Sequence, residues 1–121
     1  MPGDGVQVIL VEDDRAVREA NVQAFELEGF VAKAFADAES ALGEIGGRFQ
    51  GVLVTDIRLP GMDGLELLEA VKRLDATIPV ILITGHGDVP LAVKAMRAGA
   101  FDFIEKPFFP RRLLESIARA Q

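Results

Sequence analysis

Apolar residues follow two rhythms along this chain, and the two alternate. VQVILV at 6–11, VLVT at 52–55 and IPVILI at 78–83 are short apolar runs bounded by turn signals. Each reads as a strand buried on both faces. Phe30–Phe35 and Phe101–Ile104 predict two further, shorter strands. Between the runs, apolar positions recur every three or four residues. Val17, Ala20, Val22, Ala24, Phe25 and Leu27 give a first helix its apolar face, with Asp14 as N-cap and Gly29 at its end. Residues 37–45 predict a second helix, closed by Gly46 and Gly47. A third is capped by Asp63 and faces inward through Leu65, Leu67, Leu68, Val71 and Leu74. Val89–Ala98 predicts a fourth, with Pro90 in its first turn, and Pro110–Ala120 a fifth.

Five strand–helix units joined by short loops require a parallel sheet with helices on both faces and right-handed crossovers. The expected fold is α/β: a flavodoxin-like (βα)5 doubly wound sheet with strand order 2-1-3-4-5. At 121 residues the chain is long enough for one domain with a real core. The short loops leave little room for a lid.

Composition narrows the function. Thirteen basic against nineteen acidic residues give a net charge of −6, which argues against direct nucleic-acid contact. Eight Phe without Trp or Tyr offer no stacking platform for bases. Cysteine is absent, so disulfides and thiolate metal sites are excluded. The start, MPGDGVQVILVEDD, lacks the basic region of a signal peptide, and no apolar run approaches membrane-spanning length. The expected setting is cytoplasmic, with no membrane partner.

In such a sheet the carboxyl ends of all strands share one edge, where ligands bind. Glu12 and Asp13 follow strand one, Asp56 strand three, Thr84 strand four and Lys106 strand five. Strands one and three are neighbours, so Glu12, Asp13 and Asp56 come within reach of one another. Three carboxylates in one pocket repel unless a proton or cation intervenes. An all-oxygen donor set suits Mg2+. Lys106 adds a fixed positive charge. Such a pocket suits phosphoryl transfer with a carboxylate nucleophile, and Asp56 is the candidate because acids flank it on one side and Thr84 and Lys106 on the other. Asp14 and Asp63 read as helix caps, Gly61 and Gly64 as turn residues, and His86 as a loop histidine.

VEDD at 11–14, TDIRLPGMDG at 55–64, ITGHGD at 83–88 and DFIEKPF at 102–108 together resemble a bacterial response-regulator receiver domain. The resemblance covers nearly the whole chain, with four motifs in the right order after the right strands. It implies that Asp56 accepts phosphate from a phosphohistidine on a sensor histidine kinase. It implies Mg2+ held by Asp13, Asp56 and the Arg58 backbone carbonyl, with Glu12 acting mainly through metal-bound water. Thr84 would hydrogen-bond a phosphoryl oxygen, and Lys106 would pair with the phosphoryl group ahead of a cis bond to Pro107. Thr84 and Phe103 would form the switch, Phe103 turning inward as Thr84 moves. The helix-four and strand-five surface would then change and support a homodimer on phosphorylation. Arg58 and His86 occupy positions that influence dephosphorylation in the family. Two departures stand out: Glu12 replaces the commoner Asp, and Phe103 stands where Tyr is frequent.

The stretch TGHGDVPLAVKAMRAGAFDFIEKPF is similar to two subgroups, the dicarboxylate-transport activators of sigma-54 promoters and the nitrogen-fixation regulators with a helix-turn-helix output. ELEGF and DDRAVREA favour the first. Neither an ATPase P-loop nor a helix-turn-helix is present in the sequence, so 1–121 is expected to be the N-terminal regulatory part of a longer regulator that reaches DNA through a separate output domain. Two rival functions remain. A Mg2+-dependent aspartyl-phosphate hydrolase would want an Asp two residues after its nucleophile, where Arg58 stands. A flavin or nucleotide domain would want a Gly- or Ser/Thr-rich phosphate loop after strand one, where VEDDR is acidic.

Overall fold

The structure, a computed structural model, describes residues 5–46, 49–85 and 87–121. Five strands alternate with five helices. They are β1 (Gln7–Val11), α1 (Arg15–Leu27), β2 (Val31–Phe35), α2 (Ala38–Glu44), β3 (Gly51–Asp56), α3 (Gly64–Leu74), β4 (Val80–Thr84), α4 (Val89–Arg97), β5 (Asp102–Glu105) and α5 (Pro110–Ala120). All strand pairs are parallel, and the order is β2-β1-β3-β4-β5, as the alternation of the two rhythms requires.

The period of two along each strand divides the core. Ile9, Val11, Leu53, Val80 and Leu82 pack with Leu67, Leu68 and Val71 of α3, Ala41 of α2 and Ala95 of α4. Val8, Leu10, Val52, Val54, Ile81 and Ile83 pack on the other face with Phe25 of α1 and Leu113 and Ile117 of α5. Burying each such Leu, Ile or Val contributes roughly 1.5–3 kcal/mol. This double layer explains why the central strands read as unbroken apolar runs.

The helix starts follow the expected chemistry. Asp14 Oδ1 accepts from the Val17 amide at 3.0 Å, and Asp37 Oδ1 from the Ser40 amide at 2.8 Å. Asp63 and Glu66 form a reciprocal capping box at the start of α3. Gly29 follows α1 with φ 95°, a conformation that a β-carbon resists.

Some details differ from expectation. In α1 the inward side carries Arg18, Asn21, Val22, Ala24 and Phe25, while Val17, Ala20 and Leu27 are exposed. Helical spacing from Phe25 sets that side and turns Leu27 to the opposite one. Leu74 is also exposed, among the exposed residues that end α3. β4 begins at Val80 rather than Ile78. Pro79 has no N–H to donate, although its carbonyl accepts from the Leu53 amide at 3.0 Å. β5 runs from Asp102 to Glu105, one residue later than expected. Gly47, part of the expected close of α2, lies outside the described residues. No helix among the described residues is long and apolar enough to cross a membrane.

Candidate functional site

The four expected polar sets meet at the carboxyl edge of the sheet. Glu12 follows β1 directly, and its amide donates to the Phe35 carbonyl at 3.0 Å. Its side chain is buried: Oε2 accepts from the Asp14 amide at 3.1 Å, while Oε1 has no hydrogen-bond partner. Arg18 holds this corner from α1, donating to the Glu12 carbonyl at 2.8 Å. Asp13 is exposed beside it. Asp56 ends β3 and is only 7% exposed. One carboxylate oxygen from each of Glu12, Asp13 and Asp56 lies within 4.8 Å of the others.

Lys106 closes the site from the other side. Its amide donates to the Thr84 carbonyl at 2.8 Å, continuing the β4–β5 ladder past the strand end. Its Nζ donates to Asp56 Oδ2 at 2.8 Å. The Lys106–Pro107 bond is cis. Asp56 Oδ1 accepts from the Arg58 amide at 3.3 Å. Thr84 is buried at the end of β4, diagonal to Phe103 on the same sheet face, since Leu82 pairs with Phe103 and Thr84 with Glu105. Phe103 is half-buried against the core on the α3 side.

The electrostatics follow from this crowding. Burial pushes the Glu12 carboxyl above its ordinary value, and the Asp56 charge adds to that, against the Asp14 amide and Lys106. Burial pulls the Lys106 ammonium down. The hydrogen bond and charge of Asp56, with Glu12 and Asp13 behind it, outweigh burial and hold it above its ordinary value.

The donor set fits a hard divalent cation. All three donors are carboxylates, and the buried Glu12 Oε1 lacks a partner. An orphaned buried oxygen among like charges is what a Mg2+ ion or its water would satisfy.

Residues 8–118 match the family described as the response regulator receiver domain. The chain belongs to that family. Among similar proteins, C4-dicarboxylate transport transcriptional regulatory protein DctD of Rhizobium meliloti (strain 1021) is 49% identical over 114 residues, 94% of this chain and 25% of DctD. Transcriptional regulatory protein FixJ of the same organism is 48% identical over 113 residues, 93% of this chain and 55% of FixJ. The crystal structure of FixJ-N has a TM-score of 0.89 at 46% identity, covering 97% of this chain and 94% of that one. The receiver thus spans from a quarter to about half of these curated relatives.

The receiver brings Glu12, Asp13, Asp56 and Lys106 into one pocket, with Thr84 on the neighbouring strand end. The Arg58 side chain leaves it. Its guanidinium forms a two-pronged pair with Asp88, Nε to Oδ2 at 3.1 Å and Nη2 to Oδ1 at 3.0 Å. His86 lies outside the described residues.

Three contacts were not expected. Asp88 holds Arg58, Glu105 Oε2 accepts from the Gly87 amide at 3.0 Å, and Gly64 packs against the phosphoacceptor candidate's backbone. A β-carbon on Gly64 would overlap the Asp56 carbonyl oxygen and lie 2.8 Å from Ile57 Cα. The Gly64 amide also donates to the Ile57 carbonyl at 2.8 Å. Gly64 is therefore a positioning residue for the end of β3 and more than a turn residue. In the sequence Gly64 shows only as the residue after the cap Asp63, which says nothing of the close approach to Asp56.

Proposed function

We propose that this receiver is a phosphorylation-controlled signalling module in which Asp56 accepts a phosphoryl group from a phosphohistidine of a sensor histidine kinase. The carrying observation is the buried Asp56 carboxylate, set between two acids and the Lys106 ammonium at 2.8 Å. A carboxylate oxygen of Asp56 forms the new bond to phosphorus as the phosphorus–nitrogen bond breaks, and the imidazole leaves with the electron pair. Asp13, Asp56 and the Arg58 carbonyl would hold Mg2+, with Glu12 acting mainly through a water; bound there, the ion neutralises phosphoryl oxygens.

Lys106 and Thr84 bind and orient the phosphoryl oxygens. Thr84, drawn toward them, leaves space that the diagonal neighbour Phe103 can enter. That movement reshapes the α4 and β5 surface, which carries the exposed Val89, Val93 and Met96 and supports a homodimer. The chain is the N-terminal regulatory part of a longer cytoplasmic regulator, with a separate transcription-activating output domain of the sigma-54 type. That reading of the output rests on the ELEGF and DDRAVREA stretches. A hydrolase is disfavoured, because Arg58, directed at Asp88, supplies no acid or base to Asp56.

Beryllofluoride with Mg2+ tests the reading. Fluorine resonances of a bound complex, absent without Mg2+ and absent in Asp56→Asn, are expected. Steady turnover of a small phosphate ester would support the hydrolase instead.

A further inference from the structure

The Asp88 carboxylate stands at a position with two competing partners. It is the N-cap residue of α4, yet it makes no side-chain cap hydrogen bond. Both of its oxygens are taken by the Arg58 guanidinium, from thirty residues earlier in the chain. α1, α2 and α3 are all capped by an Asp in extended backbone, whereas Asp88 sits at φ −84°, ψ 38°, so capping α4 takes a turn of the Asp88 backbone as well as release of its side chain. Pro90 carries no N–H, so Leu91 supplies the amide that a capping Asp88 would accept from. An exposed ion pair and an Asp cap are of the same modest order of strength. A charge change nearby can therefore decide between them.

That charge sits next door. The Arg58 amide already donates to Asp56 Oδ1. The Arg58 guanidinium is held above its ordinary value first by Asp88 and, to a lesser degree, by the charge of Asp56. A phosphoryl group on Asp56 adds negative charge and acceptor oxygens in a fork that suits guanidinium.

We propose that Arg58 and Asp88 form a latch: at rest Arg58 withholds the cap of α4, and phosphorylation of Asp56 draws Arg58 away so that Asp88 caps the helix. The inference rests on the phosphoacceptor reading of Asp56. It gives the charge at Asp56 a direct route to the first turn of α4, separate from Thr84 and Phe103. The second tether of this loop, from the Gly87 amide to Glu105, stays on the β5 side and does not compete for Asp88.

Amide hydrogen exchange at Leu91, read by NMR on the whole chain, tests the latch. Arg58→Gln without any phosphodonor should slow Leu91 exchange several-fold, and beryllofluoride with Mg2+ should do the same in the wild type. Asp88→Ala should abolish both effects, and Asp88→Asn, which can cap but not pair, should slow exchange without beryllofluoride. Unchanged Leu91 exchange in Arg58→Gln, or slowing that survives Asp88→Ala, overturns the latch alone. Failure of the wild type to bind beryllofluoride at Asp56 overturns the phosphoacceptor reading, and the trigger with it.

Discussion

Lys106 Nζ lies 2.8 Å from Asp56 Oδ2, although fifty residues separate them. The parallel ladder makes this contact. β3 pairs with β4 and β4 with β5, so the residues at the ends of β3 and β5 overhang one edge. Among the described residues, Lys106 is the ammonium that touches the acid cluster, and it occupies part of the field a cation would neutralise. Removing it should strengthen Mg2+ binding and weaken the switched state together. In Lys106→Met, the Mg2+ titration midpoint, followed through amide shifts of Asp13 and Asp56, should fall several-fold. The response of α4 to beryllofluoride should shrink. A weaker Mg2+ midpoint would show that Lys106 organises the site and does not compete within it.

Glu12 adds a pH dependence opposite in sign to that of the lowered carboxyls of Asp37, Asp75, Asp88 and Asp102. Its carboxyl is raised in the folded chain, so folding takes up a proton. Its contribution to stability is present below the ordinary carboxylate range and is lost as pH rises through the raised value. Glu12→Gln should therefore be more stable than the wild type at about pH 7 without metal, with the advantage vanishing in acid. Denaturant unfolding at both pH values checks it. Added Mg2+ should narrow the advantage, because a cation favours the charged form. An advantage that grows in acid would reverse the sign assigned to Glu12.

Gly64 bears on both stability and function. A methyl group there meets the Asp56 carbonyl and Ile57 Cα, which are backbone and cannot swing aside. Gly64→Ala should cost on the order of 1–3 kcal/mol by overpacking and slow phosphoryl uptake by displacing Asp56. Unfolding midpoints and uptake from acetyl phosphate measure the two effects. Wild-type uptake in a destabilised Gly64→Ala would confine its role to packing.

Much of this was legible before the structure. Five strands, their order and the meeting of Glu12, Asp13, Asp56 and Lys106 follow from apolar runs ending in polar residues on one sheet edge. Asp14 and Asp63 were readable as caps because cap chemistry is local. Contacts set by the return path of a loop were not legible. Gly64 touches Asp56 only because the β3–α3 loop folds back, and Arg58 meets Asp88 across thirty residues. The face of α1 is legible at Val22, Ala24 and Phe25 but not at Val17, Ala20 and Leu27. Val17 and Leu27 look apolar in sequence, but the inner stripe includes Arg18, whose guanidinium serves the backbone of Glu12.

The most direct test locates the phosphoryl group. The wild type and Asp56→Asn are each incubated with acetyl phosphate and Mg2+, and peptides are mapped by mass spectrometry after borohydride trapping. Reduction of an Asp56 acyl phosphate releases the phosphate and leaves homoserine at position 56. The account predicts that product in the wild type with Mg2+, not without Mg2+, and not in Asp56→Asn. Equal uptake by Asp56→Asn, or modification mapped to Glu12 or Asp13, would contradict it.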